Sequence, residues 1–95
     1  MRKGKSDELY IKRTKFLIGE GQVCLHRGNN YEAKCNFAMA WGYARQIENP
    51  LLMEYCNNLI KKICSNDQEV KKWQNHGFSM ITKESMPDGG LEDLF

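Results

Sequence analysis

Tyr31-Glu32-Ala33-Lys34-Cys35-Asn36-Phe37-Ala38-Met39-Ala40-Trp41-Gly42-Tyr43-Ala44-Arg45-Gln46-Ile47-Glu48 is the stretch whose reading decides the fold. Ala33, Phe37, Ala40, Trp41, Ala44 and Ile47 recur at three- and four-residue spacing, which places them on one stripe of a helix. Asn49-Pro50 ends that helix and starts another. Asparagine suits the N-cap, and proline suits the first helical position, where its missing N–H costs nothing. Leu52, Tyr55, Cys56, Leu59, Ile60 and Ile63 line this third helix to about Cys64.

Toward the N-terminus, Ser6 or Asp7 is a suitable N-cap for a first helix running to about Arg27. Tyr10, Thr14, Leu17, Gly21, Cys24 and Leu25 give it a stripe. His26-Arg27-Gly28-Asn29-Asn30 is its stop signal, with bases in the last turn followed by glycine and asparagine. Toward the C-terminus, Ser65-Asn66-Asp67-Gln68 has the capping-box pattern of serine followed three residues later by glutamine. It predicts a short fourth helix through Val70 and Trp73, stopped near Gly77. Phe78 to Ile81 is ambiguous in the sequence, a brief apolar patch with the option of packing back on the helices. Pro87, Gly89 and Gly90 break regular structure beyond that. No β-alternation of useful length occurs. The expectation is an all-α chain of three to four antiparallel helices with short loops. A helical domain spans 1–81, and residues 82–95 form a mobile acidic tail with an apolar tip.

The chain has 95 residues, 41% hydrophobic and 27% charged, with two prolines. That excludes collagen-like and low-complexity classes and is too apolar for wholesale disorder. No apolar run reaches the ~18–20 residues that span a bilayer, and the basic N-terminus lacks the apolar segment of a signal peptide. Cys24, Cys35, Cys56 and Cys64 fall inside helical segments rather than a loop-rich framework, so reduced, mostly buried thiols in a cytoplasmic protein are expected. Charge is uneven. Residues 1–27 carry seven Lys and Arg against three acids, whereas residues 65–95 carry three against six. A basic head and an acidic tail imply two surfaces, or a tail that folds back on the head.

Gly19, Gly21 and Gly42 lie inside helices, where each costs about 1 kcal/mol against alanine. Close helix–helix approach is the usual compensation. Leu17, Gly21 and Cys24, then Gly28 and Tyr31 at the turn, then Ala33, Phe37 and Ala40 resemble one tetratricopeptide repeat over residues 14–50. The resemblance implies a small residue of the first helix packed under small and aromatic residues of the second. It also implies that the turn's Gly-x-x-Tyr closes the hairpin, and that the chain is an interaction scaffold without catalysis. Cys24 and Glu20 depart from that pattern, standing where a larger aromatic and an apolar residue are usual.

Gly89-Gly90-Leu91-Glu92-Asp93-Leu94-Phe95 is a glycine hinge, then acids, then Leu-Phe. A docking peptide needs that order: apolar side chains fill a pocket, acids meet bases at its rim, and the linker gives reach. The tip Asp93-Leu94-Phe95 resembles sliding-clamp-docking peptides, the clamp-docking tips of phage late-transcription coactivators and, more broadly, the acidic tails of single-stranded-DNA-binding proteins. Leu91 and Glu92 depart from the clamp pattern. By that resemblance Leu91, Asp93, Leu94 and Phe95 would dock a protein partner, a replication or transcription component. The bland alternative is that Leu94 and Phe95 tuck into the chain's own core.

Arg2, Lys3, Lys5, Lys12, Arg13 and Lys15 are the candidate phosphate contacts of a nucleic-acid-binding alternative, with Tyr10 among them for stacking. A charge run is more often a solvated face, and no helix-turn-helix or zinc-finger spacing is present. Cys24-x-His26 with Cys35 lacks the paired spacing of a structural zinc site. His26 and His76 have no carboxylate to orient them, and no nucleophile, base and oxyanion donor assemble. The expectation is therefore no enzyme, no cofactor, no metal and no membrane span. The chain reads as a small protein-binding adaptor or inhibitor, with homo-oligomerisation a further possibility.

Overall fold

A computed structural model describes residues 5–84, with side chains from 7 to 82. It contains helices α1 (Lys5–His26), α2 (Asn30–Gln46), α3 (Pro50–Ile63) and α4 (Asp67–Glu84), and no strand among the described residues. The fold is all-α. None of these helices is long and apolar enough to cross a membrane.

The turns follow from a few residues. Gly28 takes φ +84°, donating to the Leu25 carbonyl at 2.9 Å while the Asn29 N–H reaches the Cys24 carbonyl at 2.8 Å. These two bonds close α1 as a Schellman motif. Glu48 (φ 51°) does the same for α2, its N–H bonding to Arg45 at 3.0 Å and that of Asn49 to Ala44 at 3.0 Å. Asn29 and Asn49 then cap α2 and α3, each accepting a backbone N–H at 3.2 Å, with Pro50 in the first turn of α3. At α4 the cap is one residue later than expected. Asn66, not Ser65, accepts the Glu69 N–H at 2.8 Å, and the Glu69 carboxylate reaches back to the Ser65 N–H at 2.8 Å.

Helix α2 lies between the others and is buried almost all round: Ala33, Phe37, Ala38, Ala40, Gly42, Tyr43 and Ala44 are inside. Three-residue connections make α1 and α3 antiparallel to it. Helix α4 packs chiefly on α2 and touches α3 only lightly. The order of contacts makes α4 parallel to α2: Lys34 meets Glu69, Ala38 meets Gly77 and Gly42 meets Ile81. Helix α4 therefore does not stop near Gly77 but runs on to Glu84, taking up Phe78–Ile81 and residues 82–84 as helix. Gly77 is a contact glycine rather than a terminator. A Cβ there would stand 2.8 Å from the Ala38 Cβ and closer still to the Ala38 backbone.

The other helical glycines divide. A Cβ on Gly21 would fall 2.7 Å from Cδ1 and 2.9 Å from Cζ of Phe37, a ring with no exposed surface. A Cβ on Gly42 would stand 3.1 Å from Ile81 Cγ1 and 3.2 Å from the Phe78 Cα. Gly19 faces open space, so packing does not offset its helix cost. Tyr55, expected on the inner stripe of α3, is 49% exposed; Cys56 and Ile60 face inward instead. Tyr31 is exposed and sets its ring edge-on to Trp73 of α4, centroids 5.4 Å apart, so its ring contact is with α4.

Glu69 ties the N-terminal ends of α2 and α4 together. Its carboxylate accepts from Lys34 Nζ at 2.7 Å, the Ser65 N–H and Trp73 Nε1 at 3.3 Å. These donors, the Lys34 bond first, lower its pKa from the ordinary 4.5 to about 2. The four thiols are free. Burial raises the Cys56 thiol to about 12; burial first, then Glu32 or Glu69, raises Cys35 and Cys64.

Two predictions follow from this packing. Gly21→Ala should lower stability by about 1–3 kcal/mol through overpacking against Phe37, whereas Gly19→Ala should raise it by up to about 1 kcal/mol; urea unfolding of both variants measures the contrast. Because the Glu69 pKa is depressed in the folded state, its stabilisation is complete above pH 4.5 and is lost as pH falls toward 2. Thermal melts between pH 6 and 2 should fall less steeply for Glu69→Gln than for the wild type.

Candidate functional site

A groove of about 480 Å³ lies between α1 and α2. Leu9, Lys12 and Phe16 lie at helical spacing along the outer side of α1, with Leu17 deeper and Met39 and Tyr43 of α2 opposite. Phe16, at the groove's edge, is 66% exposed. Lys12 and Lys15 are exposed on the same helix.

Arg13 also lines the groove but is only 5% exposed. Its guanidinium carbon stands 5.6 Å from the centroids of both the Tyr10 and Tyr43 rings, which are themselves 5.2 Å apart. Cation–π attraction and stacking on two tyrosines suit a planar guanidinium. The structure thus corrects the reading of Arg13 as a surface phosphate contact: its head group is part of the groove floor. Neighbouring Thr14 is fully buried, and its hydroxyl donates to the Tyr10 carbonyl at 2.8 Å.

Of the other candidate phosphate contacts, Arg2 and Lys3 lie outside the described residues, and only the backbone of Lys5 is described. Lys12 and Lys15 are solvent-facing but share their helix with Phe16 and Leu9. The docking residues Leu91, Asp93, Leu94 and Phe95 lie outside the described residues. Cys24 Sγ sits 3.8 Å from Glu32 Oε1 and 3.6 Å from Asn36 Nδ2. No cluster of three His, Cys, Asp or Glu groups suited to a metal occurs among the described residues. His26 and His76 are exposed, with the His76 ring edge-on to Trp73 at 5.6 Å.

A second depression, of about 500 Å³, is lined by Tyr55, Asn58, Leu59, Lys61 and Lys62. All five belong to α3, so no second helix supplies an opposing wall among the described residues. The α1/α2 groove has two walls, an aromatic lip and a basic rim.

Periodicity alone does not reveal this groove, because the stripe it defines on α1 is the buried face. Leu9 and Phe16 stand off the Tyr10–Thr14–Leu17–Gly21 stripe. Large apolar residues beside a complete core stripe were the available signal. Compared with known protein families, curated proteins and solved structures, the chain matches none.

Proposed function

We propose that this chain is a non-enzymatic adaptor or inhibitor. It holds a larger protein assembly at two points: the α1/α2 groove and the peptide Leu91–Phe95. The observation that carries this reading is the two-walled apolar groove with Phe16 left 66% exposed at its edge. Such a groove suits an apolar segment of a partner, aromatic residues being the usual anchors of interfaces and Lys12 meeting acids at the rim. The tail supplies the second point, its resemblance to clamp-docking peptides suggesting a replication or transcription machine as the partner class. Two linked contacts raise avidity without requiring either to be tight.

The nucleic-acid alternative has less support. With Arg13 enclosed by tyrosines, Lys12 and Lys15 are what α1 offers phosphates among its described side chains, and an exposed phenylalanine beside them favours an apolar partner.

The test captures partners from lysate of the producing cells with the wild-type chain, with Phe16→Asp and with the double variant Leu94→Ala/Phe95→Ala. Circular dichroism first shows that all three are equally helical. One polypeptide retained by the wild type should be lost or weakened with both variants, each by about 2 kcal/mol, or roughly 30-fold in Kd. Retention indifferent to both variants would sink the reading.

A further inference from the structure

We propose that the α1/α2 groove is the seat of the chain's own residues 91–95, which cover it in the free protein and leave it when a partner takes the tip. This deepens the two-point reading above and rests on it for the identification of the groove as a binding surface.

The path of the chain makes the first argument. Ile81, in the last turns of α4, packs on Tyr43, with Tyr10, Leu17, Met39 and Phe78 around them. Leu17, Met39 and Tyr43 also line the groove. Helix α4 therefore delivers the chain to the groove's own wall, and Glu84 is three residues beyond Ile81.

Length is the second. Leu91 lies seven residues beyond Glu84, a reach of up to ~25 Å when extended. From Leu9 to Phe16 the groove follows α1 for about 11 Å at the helical rise. Residues 85–90 contain Pro87, Gly89 and Gly90, which permit the reversal needed to come back over the groove.

Chemical match is the third. Leu91, Leu94 and Phe95 stand at i, i+3 and i+4, the spacing that gathers three apolar side chains on one side of a helical turn. They complement Leu9, Phe16 and Met39. Residues 85–95 carry Asp88, Glu92 and Asp93 and no Lys or Arg, whereas Lys12 lines the groove and Lys15 is exposed beside it on α1, with Glu8 and Glu20 the exposed acids of that helix. Opposite charge at the rim and apolar contact within set the register of the seat.

Such a contact can be weak and still cover the groove. A tether of this length gives an effective concentration of about 1 mM, so an intrinsic Kd near 100 µM keeps the seat about nine-tenths filled. A competitor for the groove then binds about tenfold more weakly than it would to the open groove. A partner that engages Leu94 and Phe95 removes that handicap, which couples the two attachment points.

The test uses full-length protein with labelled methionine and leucine methyls and compares the wild type with Leu94→Ala/Phe95→Ala. A synthetic peptide of residues 85–95 is then titrated into each. The Met39 and Leu17 methyl signals should shift in the variant, nuclear Overhauser contacts from the Phe95 ring to the Met39 methyl should be present only in the wild type, and the peptide should bind the variant about tenfold more tightly. Unchanged Met39 and Leu17 signals would overturn the proposal. So would shifts that grow with protein concentration and follow a dimer in sedimentation, because the occupant would then be a second copy. If partner capture is lost with Phe16→Asp while the methyls ignore the tail variant, self-covering fails and the adaptor reading stands. If the methyls respond while capture ignores both variants, the adaptor reading fails and self-covering stands.

Discussion

Gly77 brings α4 against the backbone of α2 at Ala38, closer than any residue with a side chain would allow. The arrangement around the groove depends on that approach. It lets α4 lie directly against α2 rather than on α3 alone, and it carries Ile81 to Tyr43. Because Gly42 receives Ile81 and Phe78 at the next turn, the seam continues to the end of α2. Interiors are packed to crystal-like density, so a methyl group at this seam would be felt along both helices.

On the other side, α1 meets α2 by the same device in a different form: Gly21 lies beneath the Phe37 ring. Helix α2 is thus clasped by glycines from two directions, while its own alanines present little bulk. Eleven residues earlier on α1, Tyr10 and Arg13 pack with Tyr43 of α2, and Arg13 and Tyr43 line the groove there.

Much of the local structure was legible. Asparagine caps, Pro50 and Gly28 act through their own backbone chemistry, so α2, α3 and the end of α1 stand within a residue or two of where the sequence puts them. The fourth helix was misjudged because glycine has two uses, ending a helix or admitting a neighbour, and local sequence does not distinguish them. The groove was missed for a related reason. Phe16 reads as one more apolar residue on an amphipathic helix until α2 is in place and shows that nothing among the described residues covers it.

By itself the sequence determined an all-α chain, the starts and stops of most helices, the buried stripe of α2 and the opposed charges of head and tail. Those properties are encoded within a few neighbouring residues, in caps, turn glycines and a 3.6-residue period. Only the tertiary structure decided that α4 partners α2, that Arg13 is enclosed by tyrosines, and that Phe16 and Tyr55 face outward. Helical periodicity defines faces but names no partner for them; partner choice is fixed by how closely two backbones can come, and that is a property of residues distant in the chain.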